Sequence, residues 1–75
     1  GNNRYTRKFA YLNGKPWVAS RERGGTVVRL GWDEDGKLVL RQRNGQDDAS
    51  VEAEAGELLR QAREAFNIAS ARVPG

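Results

Sequence analysis

The stretch Thr26-Val27-Val28-Arg29-Leu30-Gly31-Trp32, Asp33-Glu34-Asp35-Gly36, Lys37-Leu38-Val39-Leu40-Arg41-Gln42-Arg43 decides the fold. Two segments rich in β-branched and other large apolar residues flank four turn formers, and the acidic quartet suits a type I turn closed by a left-handed glycine that forms a bulge. Strand, reversal, strand is the order this implies, with the two strands antiparallel.

Towards the N-terminus, Gly24-Gly25 offers another two-residue turn. Before it, Asn13-Gly14 is the strongest short hairpin signal, because a type I′ turn needs positive φ at both central positions and these residues tolerate it best. The turns delimit four expected strands, residues 5–12, 17–23, 26–32 and 37–43, in an up-and-down meander. Pro16 has no amide to donate and belongs at a strand end or edge.

Towards the C-terminus the chain turns polar from Asn44 to Ser50. Val51, Ala55, Leu58, Leu59, Ala62, Phe66, Ala69 and Val73 then recur at spacings of three and four, one face of a helix over about residues 50–72. Asp48 or Ser50 can cap its start, acids cluster in its early turns, and Arg72 sits near its end, as the helix dipole favours. Gly56 costs up to about 1 kcal/mol relative to alanine inside a helix, which implies either a late start or a close approach of the sheet. Pro74 is expected to stop the helix. The fold class that follows is α+β: an antiparallel three- to four-stranded meander, then one C-terminal amphipathic helix packed on one face, in a single small domain over residues 1–75.

Carrying an unbroken register away from each turn assigns side chains to faces. It pairs Ala10 with Trp17 and Phe9 with Val18; Ala19 with Leu30, Trp17 with Trp32 and Arg21 with Val28; Trp32 with Leu38 and Leu30 with Leu40. One face then gathers Ala10, Trp17, Ala19, Val28, Leu30, Trp32, Leu38 and Leu40, the expected core. The other gathers Tyr5, Arg7, Phe9, Tyr11, Val18, Ser20, Glu22, Val27, Arg29, Val39, Arg41 and Arg43. Since one helix covers one face, this second set is expected in water, where exposed apolar area marks a contact surface. A single bulge in the first hairpin would swing Phe9 and Tyr11 to the core side, because side chains alternate with period two.

Composition narrows the chemistry. Seventy-five residues bury only about 60% of the surface of the unfolded chain, so the core is small. The chain has no cysteine and no histidine, which removes disulfides, thiolate nucleophiles, imidazole bases and the usual zinc or iron ligands. No acid–base pair is bracketed at useful spacing, so an enzyme is not expected. Asp33-Glu34-Asp35-Gly36 has the composition of a calcium loop without its ligand spacing, and Gly24-Gly25 lacks the helix and GKS pattern of a phosphate loop; neither metal nor cofactor is expected. No apolar run approaches a membrane span, and Gly1-Asn2-Asn3-Arg4 opens no signal-peptide pattern. With the lack of cysteine, this points to the cytoplasm.

The formal charge of +3 conceals an asymmetry. Residues 1–46 carry ten Lys/Arg against four acids, a surplus of six positive charges, whereas residues 47–75 carry six acids against three arginines. Among the basic residues arginine outnumbers lysine ten to three, a bias towards bidentate contacts. Arginines interleaved with aromatics on an uncovered sheet suit nucleic acid, whose phosphates attract guanidinium groups and whose bases stack on rings. The expected interface is Tyr5, Arg7, Phe9, Tyr11, Arg29, Arg41 and Arg43, on DNA more than RNA, within a larger regulatory or recombination protein. Two modes are open: a sheet in the major groove with arginines on guanine edges, or a single strand stacked on the rings. The alternative is a protein interaction domain that uses the same face, either as a homodimer, basic sheet against acidic helix, or with an acidic protein partner.

The order of elements resembles the sheet-type DNA-binding domains of some tyrosine recombinases and plant transcription factors. It is also similar to single-stranded-DNA-binding coactivator domains built on a bent sheet. The likeness is one of architecture, and it carries no residue across.

Overall fold

The computed structural model describes residues 5–72. Strands β1 (Tyr5–Leu12), β2 (Lys15–Arg23), β3 (Thr26–Trp32), β4 (Leu38–Arg43) and the two-residue β5 (Gln46–Asp47) form one antiparallel sheet in chain order. A 3-10 segment (Ala49–Glu54) leads into the single helix, α1 (Ala55–Arg72). The α+β meander is as expected, with five strands in place of three or four. The fifth strand arises from Asn44-Gly45, whose φ angles of 51° and 84° match those of Asn13-Gly14 (53° and 78°) and make a second turn of the same kind. Asn44 also accepts the Val27 amide on its side chain at 2.9 Å and donates its own amide to the Val27 carbonyl at 2.8 Å, which ties the turn to β3.

Two irregularities fix the faces. β1 and β2 pair as expected at Leu12–Lys15 and Tyr11–Pro16, but the next pair is Ala10–Val18, so Trp17 is an extra residue in β2. β3 and β4 pair Trp32 with Leu38 and then Gly31 with Leu40, which makes Val39 an extra residue in β4. Each bulge reverses the alternation of one strand relative to its neighbour. The rows that result are Phe9–Ala19–Leu30–Arg41 and Arg7–Arg21–Val28–Arg43 on one face. Lys8–Ser20–Arg29–Gln42 and Ala10–Val18–Gly31–Leu40 lie on the other.

The first of these faces receives α1. Ala19, Val28, Leu30 and Trp32 from the sheet pack with Val51 and Leu58 as a buried cluster, and Phe9, Leu38, Ala55 and Leu59 close its rim. Ala62 is also fully buried. The helical stripe is therefore confirmed from Val51 through Phe66, while Ala69 is exposed and the expected positions of Val73 and Pro74 lie outside the described residues. Several expectations about faces are corrected. Phe9 and Tyr11 lie on the helix side, and Ala10, Trp17 and Leu40 leave the core, because the shift at Trp17 inverts β1 and the shift at Val39 inverts β4 beyond Leu38.

The helix starts late, which answers the question posed by Gly56. Asp48 caps the 3-10 segment, its side chain accepting the Ser50 amide at 2.9 Å, and the α-helical geometry begins only at Ala55. Gly56 is exposed, and a β-carbon built on it meets nothing within 4 Å. Neither packing nor backbone angle requires a glycine there. The Gly56→Ala variant is expected to gain about 0.5–1 kcal/mol in chemical denaturation with an unchanged denaturant slope. A loss of stability would mean that the sheet or a neighbouring helix turn occupies this space.

Candidate functional site

The seven residues expected to form one interface are divided by the register. Tyr5, Arg7, Phe9, Tyr11, Arg41 and Arg43 belong to the helix side of the sheet, and Arg29 alone remains on the open side. The structure therefore does not bring the expected aromatics and arginines together on a free surface.

Each residue on the helix side has an intramolecular role. The Tyr11 hydroxyl donates to the Ala62 carbonyl of α1 at 2.7 Å and its ring sits 5.1 Å from that of Phe66; burial pushes the phenol above its ordinary value. Arg7 donates to Gln61 at 2.8 Å. Arg41 pairs with Glu52 and lies 3.9 Å from Asp47, and Arg43 lies 3.2 Å from Asp48 and donates to the Ser50 hydroxyl. Tyr5 stays 40% exposed near the chain's N-terminal end, with the Arg23 guanidinium 4.6 Å from its ring centroid and that of Arg7 at 5.5 Å. This corner is the remnant of the expected arginine and aromatic surface.

The firmest electrostatic contact is one to which the sequence pattern assigned no role. Arg21, on β2, donates Nε and an Nη to the two carboxylate oxygens of Glu54 at 2.5 and 2.6 Å, a bidentate fork at the junction of the 3-10 segment and α1. Both side chains are largely shielded from solvent. Hydrogen bonding from Arg21 holds the Glu54 carboxyl below the usual glutamate range, with Arg43 and Arg23 adding to the positive field. The period of two in β2 did place Arg21 opposite Val28, a core residue; the acid three residues after the first apolar helix position was the available sign of its partner.

The open face divides into two regions. Its middle and lower rows hold Thr6, Lys8, Ser20, Glu22, Val27, Arg29 and Gln42. Lys8 and Arg29 are exposed and, among the described residues, neither has a carboxylate at ion-pair distance. Its upper region is apolar: Ala10, Val18 and Leu40 surround Gly31, and at this end of the sheet Leu12 and the extra residues Trp17 and Val39 are exposed. A β-carbon at Gly31 would come within 3.0 Å of the Leu40 Cβ, so glycine lets Leu40 lie flat on the sheet. At the same end of the sheet, the cleft on the helix side is lined by Pro16, Trp32, Leu59 and Arg63, and a neighbouring hollow holds Trp17 and Leu12 with Pro16, Asp33 and Glu34.

The acidic turn is a structural device. The Asp33 side chain accepts the amides of Asp35 and Lys37, both at 2.9 Å, and its backbone pairs with Gly36 and Lys37. Among the described residues no group of three or more His, Cys, Asp or Glu is arranged to hold a metal, and no helix is long and apolar enough to cross a membrane. No protein-family model, curated protein or solved structure matches the chain.

The depressed Glu54 has a defined consequence for pH. Its folded value lies below its unfolded one, so its contribution is present at neutral pH and above the ordinary glutamate value of about 4.3, and it is lost as pH falls through the lowered folded value. Glu54→Gln is expected to destabilise the domain by about 1–2 kcal/mol at neutral pH, between the ranges for surface and buried pairs. It should also flatten the loss of stability on acidification, read by denaturation midpoints across pH 3–7. An acid limb as steep as that of the parent would show that the Arg21 fork contributes nothing to folding.

Proposed function

We propose that this domain binds nucleic acid through the open face of its sheet, as a module of a larger regulatory or recombination protein. The observation that carries the proposal is the contrast between the two sides. Arg21, Arg41, Arg43 and Arg60 are held by acids of the chain's second half, whereas among the described residues Lys8 and Arg29 stand on an uncovered face without such partners. Polyanions are bound by cations that the fold has not already neutralised. Ser20 and Gln42 lie in the same row and supply hydrogen-bond donors for phosphate or sugar oxygens. The exposed cations Arg7 and Arg23 around Tyr5 extend the positive surface along the outer edge of β1. Glu22, two residues along β2 from Ser20, limits the footprint towards the Gly24-Gly25 turn, and Asp33 and Glu34 limit it beside Trp17. The interface thus keeps Arg29 from the expected set and adds Lys8, while Tyr5 and Arg7, on the helix side of the edge strand, border it. DNA is favoured over RNA only by the architectural likeness to DNA-binding domains. Absence of cysteine supports a cytoplasmic setting.

A second reading rests on the apolar end of the same face, where Leu12, Trp17, Val39 and Leu40 would suit a protein partner or a second copy. The basic-sheet-on-acidic-helix dimer loses its electrostatic motive, because those charges already meet within one chain.

Titration of labelled DNA at several salt concentrations tests the proposal. Affinity is expected to fall linearly on a log–log plot, and Lys8→Ala combined with Arg29→Ala to reduce the slope by about two, one for each phosphate left without its cation. A stable dimer in sedimentation, with no salt-dependent binding to DNA, would favour the second reading.

A further inference from the structure

We infer that the ligand of the open face is single-stranded nucleic acid, with Trp17 as its base-stacking platform; this rests on the nucleic-acid reading and narrows it. The first ground is width. Four strands of six to nine residues lie side by side, and at 4.7–4.9 Å per spacing their backbones alone span about 14 Å. The major groove of B-DNA is about 12 Å wide and accepts a helix or a narrow ribbon. A face of this breadth cannot seat all four of its strands in a groove at once.

The relief of the face leads to the same conclusion. Reading base edges in a groove requires long side chains projecting from the centre of the inserted surface. Here the centre towards β1 is low: Ala10 and Ser20 occupy it, and a shallow hollow of about 340 Å³ is bordered by Lys8, Phe9, Ala10, Val18, Ser20 and Arg29. The cations flank this floor, with Lys8 on β1 and Arg29 on β3.

The third ground is the pairing of chemistries on one surface. A duplex offers phosphates but hides the faces of its bases. An unpaired strand offers both, and the open face presents a partner for each. Trp17 is 42% exposed, in contrast to Trp32 at 3%, and Leu12 is exposed beside it; Asp33 and Glu34 line the same hollow, so the phosphates of a strand stacked there must run away from them, towards Lys8 and Arg29. Trp17 owes that position to being the extra residue of β2, displaced from the core place that unbroken alternation would give it. From Trp17 to Ser20, in the row of Lys8 and Arg29, is three residues of β2, or about 10 Å at 3.3 Å per residue. A strand that crosses the hollow can therefore place a base on the indole and its phosphates between the two cations.

The test compares the whole chain binding a short oligo(dT), an oligo(U) of equal length and a duplex of matched length at one salt concentration, read by anisotropy and by tryptophan emission. The expected result is at least tenfold tighter binding of a single strand than of the duplex, with emission quenched on binding. Trp17→Ala should weaken single-strand binding roughly tenfold, as loss of one stacked base does, while leaving duplex binding and the far-UV spectrum unchanged. Duplex binding as tight as single-strand binding would overturn this inference and leave the nucleic-acid reading standing. Failure of all three ligands to bind would overturn both. Unchanged single-strand affinity in Trp17→Ala would remove the indole from the site.

Discussion

One residue too many in β2 governs how this domain presents itself. Trp17 has no cross-strand partner, and its insertion turns the whole of β1 from Ala10 back to Tyr5 by half a period relative to the unbroken hairpin. Phe9 and Tyr11 consequently face α1, where Tyr11 bonds the Ala62 carbonyl and packs on Phe66. The domain needs them there. Only a handful of large side chains are fully buried, so two aromatic rings at the rim of the cluster are a substantial share of its apolar packing. The extra residue at Val39 does the matching work on the other side of β3, bringing Arg41 and Arg43 over the acidic 3-10 segment and leaving Leu40 to cover Gly31.

This geometry converts a charge asymmetry in the sequence into a division of labour in space. The basic first half and acidic second half meet along the seam between the sheet and the helical segment, through Arg21–Glu54, Arg41–Glu52 and Arg43–Asp48. The exposed pairs of Arg41 and Arg43 add little stability each, but with the shielded Arg21–Glu54 fork they set where the 3-10 segment docks. Of the described cations that the seam does not use, Lys8 and Arg29 lie on the open face, Arg7 and Arg23 gather around Tyr5, and the others stand on the helix and at the turns. Surface chemistry on that face is thus a remainder, defined by which arginines and lysines folding leaves without acids.

The strands, turns and helix were legible because their signals are local. Asn13-Gly14, Gly24-Gly25 and the Asp33–Gly36 quartet each specify a reversal by backbone preference, and the helical stripe from Val51 to Phe66 is an unbroken period. Asn44-Gly45 follows the same rule as Asn13-Gly14, yet it stands in a polar stretch without flanking apolar alternation, so the two-residue β5 carries no strand signal of its own. The candidate site was far less legible. A bulge has no composition of its own: neither Trp17 nor Val39 differs from an ordinary strand residue, and both are chosen by what the finished core can accommodate. Since every side chain beyond a bulge changes face, two unmarked residues moved six of the seven expected interface positions to the helix side. Arg29 kept its face because β2 and β3 pair without interruption from Val18–Gly31 to Arg23–Thr26.

The most direct measurement of the account is a proton nuclear Overhauser map of the first hairpin and its packing on the helix. The extra residue at Trp17 requires contacts from the Phe9 ring to the Ala19 methyl and from the Tyr11 ring to Phe66, with the side chains of Lys8, Val18 and Arg29 open to a soluble paramagnetic probe. Cross-strand contacts that put Phe9 opposite Val18, with the Phe9 and Tyr11 rings broadened by the probe, would contradict it and return the aromatics to the open face.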